Sequence, residues 1–202
     1  MNIAFVHDIF PGGGAERVTI DIARHLNSVS ESYRIFVYTP VISSDMLSDR
    51  ITRNLVAIRQ VPKGRTARSI EIEKLIMSDH IDIVVQVVSS IRNIDKIRKR
   101  TGCKVVFSNH GEPFWQRHDI IARKKSDSVK WRLYRRTLYT KMHLAALKAK
   151  YTNRRHYNSC DIFTVLCEEY KTLMCKGMLL NPKTAHIIPI GNSEHPVENV
   201  NY

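Results

Sequence analysis

Short β-branched and aromatic runs recur along the whole chain, at Ile3–Val6, Ile35–Tyr38, Leu55–Val61, Ile83–Val88, Lys104–Phe107, Ile162–Leu166 and His186–Ile188. Each has the length and composition of a strand. Between them the period changes. Val18, Ile22, Ala23 and Leu26 form one helical stripe, and Ile91, Ile94 and Ile97 another. Strands separated by helices join in parallel, because a parallel pair needs a long crossover that a helix supplies. Several runs are apolar without clean alternation, as strands covered on both faces are. The expected fold is therefore α/β, a doubly wound parallel sheet of Rossmann-like type. At 202 residues, 43% of them hydrophobic, the chain holds one such domain with room for a sizeable insertion.

Two stretches break the alternation. From Phe107 to Ile162 the connection is far longer than an ordinary crossover, and it is strongly basic. Between Arg117 and Arg155 thirteen lysines and arginines face only Asp119 and Asp127, a local net of +11 in a chain of formal charge +13. Trp131, Tyr134, Leu138, Met142, Ala145 and Ala149 recur there at steps of three and four, a narrow apolar stripe on a long helix. A basic helical insertion over residues 115–157 is expected. The second break is the end, where "IPIGNSEHPVENVNY" passes from a short strand into a polar tail. Residues 1–192 read as the domain and 193–202 as the start of a linker to a further domain.

The first strand runs into "DIFPGGGAERV". Glycines between a strand and a helix allow backbone N–H groups to approach an anion at the helix's positive end. Gly12 would open a dinucleotide fingerprint, but its third glycine position holds Arg17, and the second strand ends in "VYTP" without a ribose-binding acid. A nicotinamide or flavin cofactor is not expected, and there is no phosphate-binding G-x-x-x-x-G-K-[ST] loop. No apolar stretch reaches bilayer length, and nothing resembles a signal peptide. Cys103, Cys160, Cys167 and Cys175 lack C-x-x-C spacing, so they are expected to be reduced packing residues. No metal site and no D-x-D motif is apparent. His118, His143 and His156 fall in the basic segment and are expected at the surface.

With "PGGGAERV" near the start, "KVVFSNHGEPF" in the middle and "CDIFTVLCEEYKTLMCKGMLLNPKTAHIIPIGN" towards the end, the chain resembles the family 4 retaining glycosyltransferases of GT-B fold. Two departures stand out. Cys167 occupies the usual serine position before Glu168, and "IPIGN" replaces the commoner Pro-Asn-Gly while keeping Pro189 and Gly191. GT-B enzymes have two Rossmann-like domains with the active site between them, and the resemblance covers only the N-terminal, acceptor-side one. It implies a cytoplasmic hexosyltransferase, peripheral at the inner membrane face, using a nucleotide sugar without a metal or other cofactor. It further implies a lipid-linked or cell-surface glycan acceptor, as in polysaccharide biosynthesis, and no activity without the domain that carries most donor contacts.

Carried over by position, Gly13 and Gly14 match the turn that meets the donor diphosphate. His110 matches the histidine that contacts the transferred sugar and is the implied catalytic residue. Glu16 faces the acceptor or favours the helix N-terminus by its charge, and Glu112 lines the same cleft. Retaining transfer then runs through an oxocarbenium-like front-face displacement in which the diphosphate takes the acceptor proton, and the protein positions charge. Lys130, Arg132, Arg135, Arg136 and Lys141 in the basic segment suit an anionic membrane or lipid-diphosphate acceptor. The rival reading is a non-enzymatic α/β module holding a polyanion, an anionic membrane or nucleic acid, through those helices; no recognised nucleic-acid module surrounds them.

Overall fold

The structure, a computed structural model, describes residues 1–10, 14–42, 55–87, 91–108, 154, 156–178 and 181–188. Seven strands are formed: β1 (Asn2–Val6), β2 (Arg34–Thr39), β3 (Ala57–Gln60), β4 (Ile83–Val87), β5 (Lys104–Ser108), β6 (Ile162–Val165) and β7 (Ala185–Ile187). They build one sheet in the order β3-β2-β1-β4-β5-β6-β7, with every pairing parallel. Helices α1 (Gly14–Val29), α2 (Arg65–Ser78), α3 (Ile94–Thr101) and α4 (Glu168–Met178) connect them. The strand order reverses between β1 and β4, so the loops after these two strands diverge and leave a crevice at the sheet's C-terminal edge.

Both faces of the sheet are covered, and the strands' period of two divides the core in half. Ile3 and Phe5 pack with Ile20 and Ala23 of α1, Ile35, Val37 and Phe10. Ala4 and Val6 point the other way, into a cluster with Ile72 and Ile76 of α2, Ile94 and Ile97 of α3, and Met174 of α4. This explains why the central strand segments lack a polar alternate, while the edge strands β3 and β7 expose Arg59, Gln60 and His186. The Ile91, Ile94 and Ile97 stripe is buried as expected. The first stripe is rotated from its expected position: α1 buries Thr19, Ile20 and Ala23, while Ile22 is 39% exposed. A buried threonine on that face needs a polar partner, and the site below supplies it.

Smaller shifts affect the element ends. The expected strand Leu55–Val61 contracts to Ala57–Gln60, with Val56 and Val61 buried at its two ends. The last strand begins one residue earlier than expected, at Ala185. Helix α3 stops at Gly102, whose φ of +74° gives a left-handed cap with its N–H on the Arg98 carbonyl. All four cysteines are free, and Cys103 and Cys160 are buried in agreement with a packing role. The basic stripe from Trp131 to Ala149 and the tail 193–202 lie outside the described residues. No helix among the described residues is long and apolar enough to cross a membrane.

Candidate functional site

The alternation that sorts the core continues past the end of β1 and sorts the chemistry. His7 follows Ile3 and Phe5 onto the α1 face; Asp8 follows Ala4 and Val6 onto the α2 face. His7 is 1% exposed and shares a 2.9 Å hydrogen bond between its Nε2 and Thr19 Oγ1. The Thr19 hydroxyl also lies 3.4 Å from the Ala15 carbonyl one turn back, to which it donates. On its other side, His7 Nδ1 stands 3.6 Å from Glu16 Oε1. Phe10 closes over the imidazole with ring centroids 5.4 Å apart. The first turn of α1 is thus bolted to the end of β1 through one buried histidine. Glu16, in that first turn, also complements the helix's positive end.

Gly14 opens α1 directly after the turn. A Cβ built on it would meet nothing within 4 Å, so the glycine is not required by packing against the described residues.

Across the crevice, Asp8 forms an ion pair with Arg68 of α2. Arg68 is only 13% exposed, and it also donates to the carbonyls of Pro62 (3.4 Å) and Lys63 (3.1 Å). The loop after β4 is tied to the same turn. Ser69 Oγ donates to the Arg65 carbonyl at 3.0 Å and accepts the Arg92 N–H at 2.9 Å. Arg92 Nη1 reaches Thr66 Oγ1 at 3.1 Å. Gln86, fully buried at the end of β4, accepts the Ile91 N–H at 2.8 Å. These contacts fix the start of α2 and residues 91–92 against the sheet, and the Arg68–Asp8 pair joins them to the end of β1.

Further along the edge, Thr164 of β6 donates to Ser108 Oγ of β5 at 2.9 Å. His156 is not the surface residue its basic neighbourhood suggests. Its ring meets Phe107 edge-on at 5.8 Å and Tyr157 at 5.6 Å, and its buried Nε2 has no hydrogen-bond partner among the described residues. Burial pushes its pKa down to about 4, against a smaller opposing pull from the Asp95 charge.

Of the residues singled out in the sequence, Gly14 and Glu16 stand together at the start of α1. Gly13, His110, Glu112, Lys130, Arg132, Arg135, Arg136 and Lys141 lie outside the described residues. Sequence reasoning overlooked His7, Asp8, Thr19 and Arg68. The signal available for the first two was "HD" at the close of β1, where strand parity assigns one residue to each face.

A doubly wound α/β domain whose first helix opens with Gly14 beside the strand-order reversal is a scaffold of the kind that accepts an anion at that edge. The family described as Glycosyltransferase Family 4 matches residues 12–192, and the chain belongs to that family. A search of curated proteins finds no significant match. Among solved structures, the chain resembles a glycosyltransferase from Rickettsia africae ESF-5 (12% identity, TM-score 0.58), covering 94% of this chain and 43% of that one. It also resembles WaaG, a glycosyltransferase involved in lipopolysaccharide biosynthesis (16% identity, TM-score 0.52), covering 94% and 45%. Phytolacca americana UGT2, complexed with UDP-2fluoro-glucose and pterostilbene, aligns at 9% identity and TM-score 0.51, covering 94% and 52%. At these identities the likeness concerns the fold, that of the N-terminal half of a GT-B enzyme. The chain spans about half the length of these structures or less.

Proposed function

We propose that this chain is the acceptor-side half of a retaining glycosyltransferase that moves a sugar from a nucleotide sugar to a lipid-linked or cell-surface glycan. The observation that carries this reading is the place where the family match begins. It starts at residue 12, among the sequence's three glycines, the last of which, Gly14, opens α1 after β1, the strand at which the sheet order reverses. There the N-terminus of α1 offers backbone donors and a positive pole to the departing diphosphate. His7 holds the start of α1 against the sheet through Thr19 and Glu16, so the helix's donors are in place before the ligand arrives, which is the economical form of electrostatic catalysis. The exposed Ile9 and Ile188, on the same edge, are apolar surface that a second domain would cover. His110, two residues beyond β5, is the residue proposed to contact the transferred sugar. Catalysis by this route needs no metal, and the chain alone is expected to be inactive. The membrane's cytoplasmic face is the proposed location, with Lys130, Arg132, Arg135, Arg136 and Lys141 against anionic lipid.

The test uses the protein joined to its donor-binding domain. Gly14→Ala should leave thermal stability within about 1 kcal/mol of the parent, since the new methyl enters open space on a helix. It should nevertheless weaken nucleotide-sugar binding about tenfold, or about 1.4 kcal/mol. His110→Ala should lower turnover by roughly 10²-fold with donor affinity little changed. Unaltered transfer in both variants would refute the reading.

A further inference from the structure

Between Ile51 and Ile70 the chain contains no acidic residue, yet it carries Arg53, Arg59, Lys63, Arg65 and Arg68. Three of these gather at the crevice. Lys63 is joined to Arg68 through its carbonyl, and Arg65 to the 91–92 loop through Ser69. Arg92 then comes back onto Thr66. The result is a rim of four cations on the turn before α2, on α2 itself and on the loop after β4, with Asp8 as the described carboxylate that pairs with Arg68. Among the described residues no carboxylate pairs with Lys63, Arg65 or Arg92. Elsewhere on these helices the pattern is different: Lys74 sits beside Glu71, Arg100 beside Glu73 and Arg24 beside Asp21. An ordinary solvated face interleaves its charges in that second way. The rim instead sets like charges close together, with hydrogen bonds that fix the backbone at Lys63 and Arg65 and the side chains of Arg68 and Arg92.

We infer that this rim binds a phosphate group of the acceptor. The assignment to the acceptor rests on the transferase reading. The position argues for it, because the rim lies on the α2 face of β1 whereas α1 lies on the opposite face. A donor diphosphate at α1 leaves this second anion site unfilled. Two guanidinium groups with planar donor forks suit the oxygens of a phosphate or diphosphate ester.

Inorganic pyrophosphate is the probe, titrated calorimetrically into the 202-residue chain at low salt. Arg65→Gln with Arg92→Gln should weaken its binding about tenfold at unchanged melting temperature, both side chains being exposed. The control removes two equally exposed cations from α3, Lys96→Gln with Lys99→Gln, and should change the affinity less than twofold. Equal losses in the two variants, or none in the first, would overturn the site. In the two-domain enzyme the R65Q/R92Q variant should raise the acceptor KM and leave the donor KM unchanged. A rise in donor KM alone would overturn the assignment to the acceptor. The source of the phosphate is read by competition: displacement of pyrophosphate by a polyprenyl diphosphate in detergent marks a lipid carrier, and displacement by a hexose 1-phosphate marks a phosphorylated glycan. Displacement by neither would count against the acceptor assignment. If the complete protein transfers or hydrolyses no nucleotide sugar, the transferase reading and the assignment to the acceptor fail together, whereas the pyrophosphate titration still decides the anion site by itself.

Discussion

Asp161→Ala is expected to cost about 3 kcal/mol of stability and to lower the melting temperature by roughly 6–12 °C. Its carboxylate serves two groups at once. One oxygen takes the Arg98 guanidinium at 2.6 Å and the other the Val105 N–H at 2.8 Å, while Arg98 Nη1 also donates to the Ser159 carbonyl at 3.0 Å. Asp161 is 19% exposed and Arg98 39%, so the cation can turn partly to water once its partner is gone. Val105 cannot, because it is fully buried on β5. The stranded N–H therefore contributes about 1–3 kcal/mol of the loss, and the broken charge pair the remainder. Asp161→Asn, which keeps an acceptor for Val105 but removes the charge, should lose about half as much. Urea denaturation of the two variants gives both numbers, and equal losses would contradict that division.

The position of that clamp matters as much as its strength. β6 pairs with β5 only over Val106–Ser108 against Ile162–Thr164, after a connection of more than fifty residues. Closing so long a loop carries an entropic cost that grows slowly with length, and three paired residues return little against it. Asp161 adds the Arg98 bridge from α3 and a reciprocal backbone bond to Val105. Hydrogen exchange in D161A should consequently rise first in β6 and β7, with β1 and β2 still protected.

The parallel sheet was legible in the sequence because burial on two faces leaves each strand a short unbroken apolar run. Six of the seven runs fall within one residue of the observed strand bounds for that reason, and Leu55–Val61 overshoots by two at its start and one at its end because buried valines flank the paired residues. The α1 stripe was misread at Ile22 because apolar periodicity assumes that the buried face is apolar. Thr19 breaks the assumption: its hydroxyl is satisfied by His7, a partner twelve residues away that no local pattern names. The glycine turn and Glu16 were readable, being contiguous in sequence. The opposite wall was not, since Asp8 and Arg68 are sixty residues apart and meet only once strand parity and the β3–α2–β4 crossover are known. His156 was misplaced by its basic neighbours. Composition reports the environment of a segment, whereas the single ring that turns inward answers to Phe107 and Tyr157.

That inward ring makes the fold acid-sensitive. With a folded-state pKa of about 4 against 6.5 unfolded, His156 is neutral in the native protein at pH values where the unfolded chain already binds a proton. Stability must then rise with pH through this window. It is complete above pH 6.5 and falls as the pH drops towards 4, by about 3 kcal/mol for a difference of this size. Desolvation is the larger cause and the Asp95 charge opposes it, so Asp95→Asn should depress the folded pKa further and deepen the loss. His156→Phe is the sharper test. Phenylalanine keeps the edge-on packing against Phe107 and removes a buried nitrogen that has no partner among the described residues. At pH 7 it should be neutral or stabilising by about 1 kcal/mol. At pH 5 its advantage over the parent should widen, because the variant has no imidazole to protonate on unfolding. Parallel stability curves for parent and H156F between pH 7 and pH 5 would show that the imidazole is hydrated in the folded state, and the buried position argued for it would be wrong.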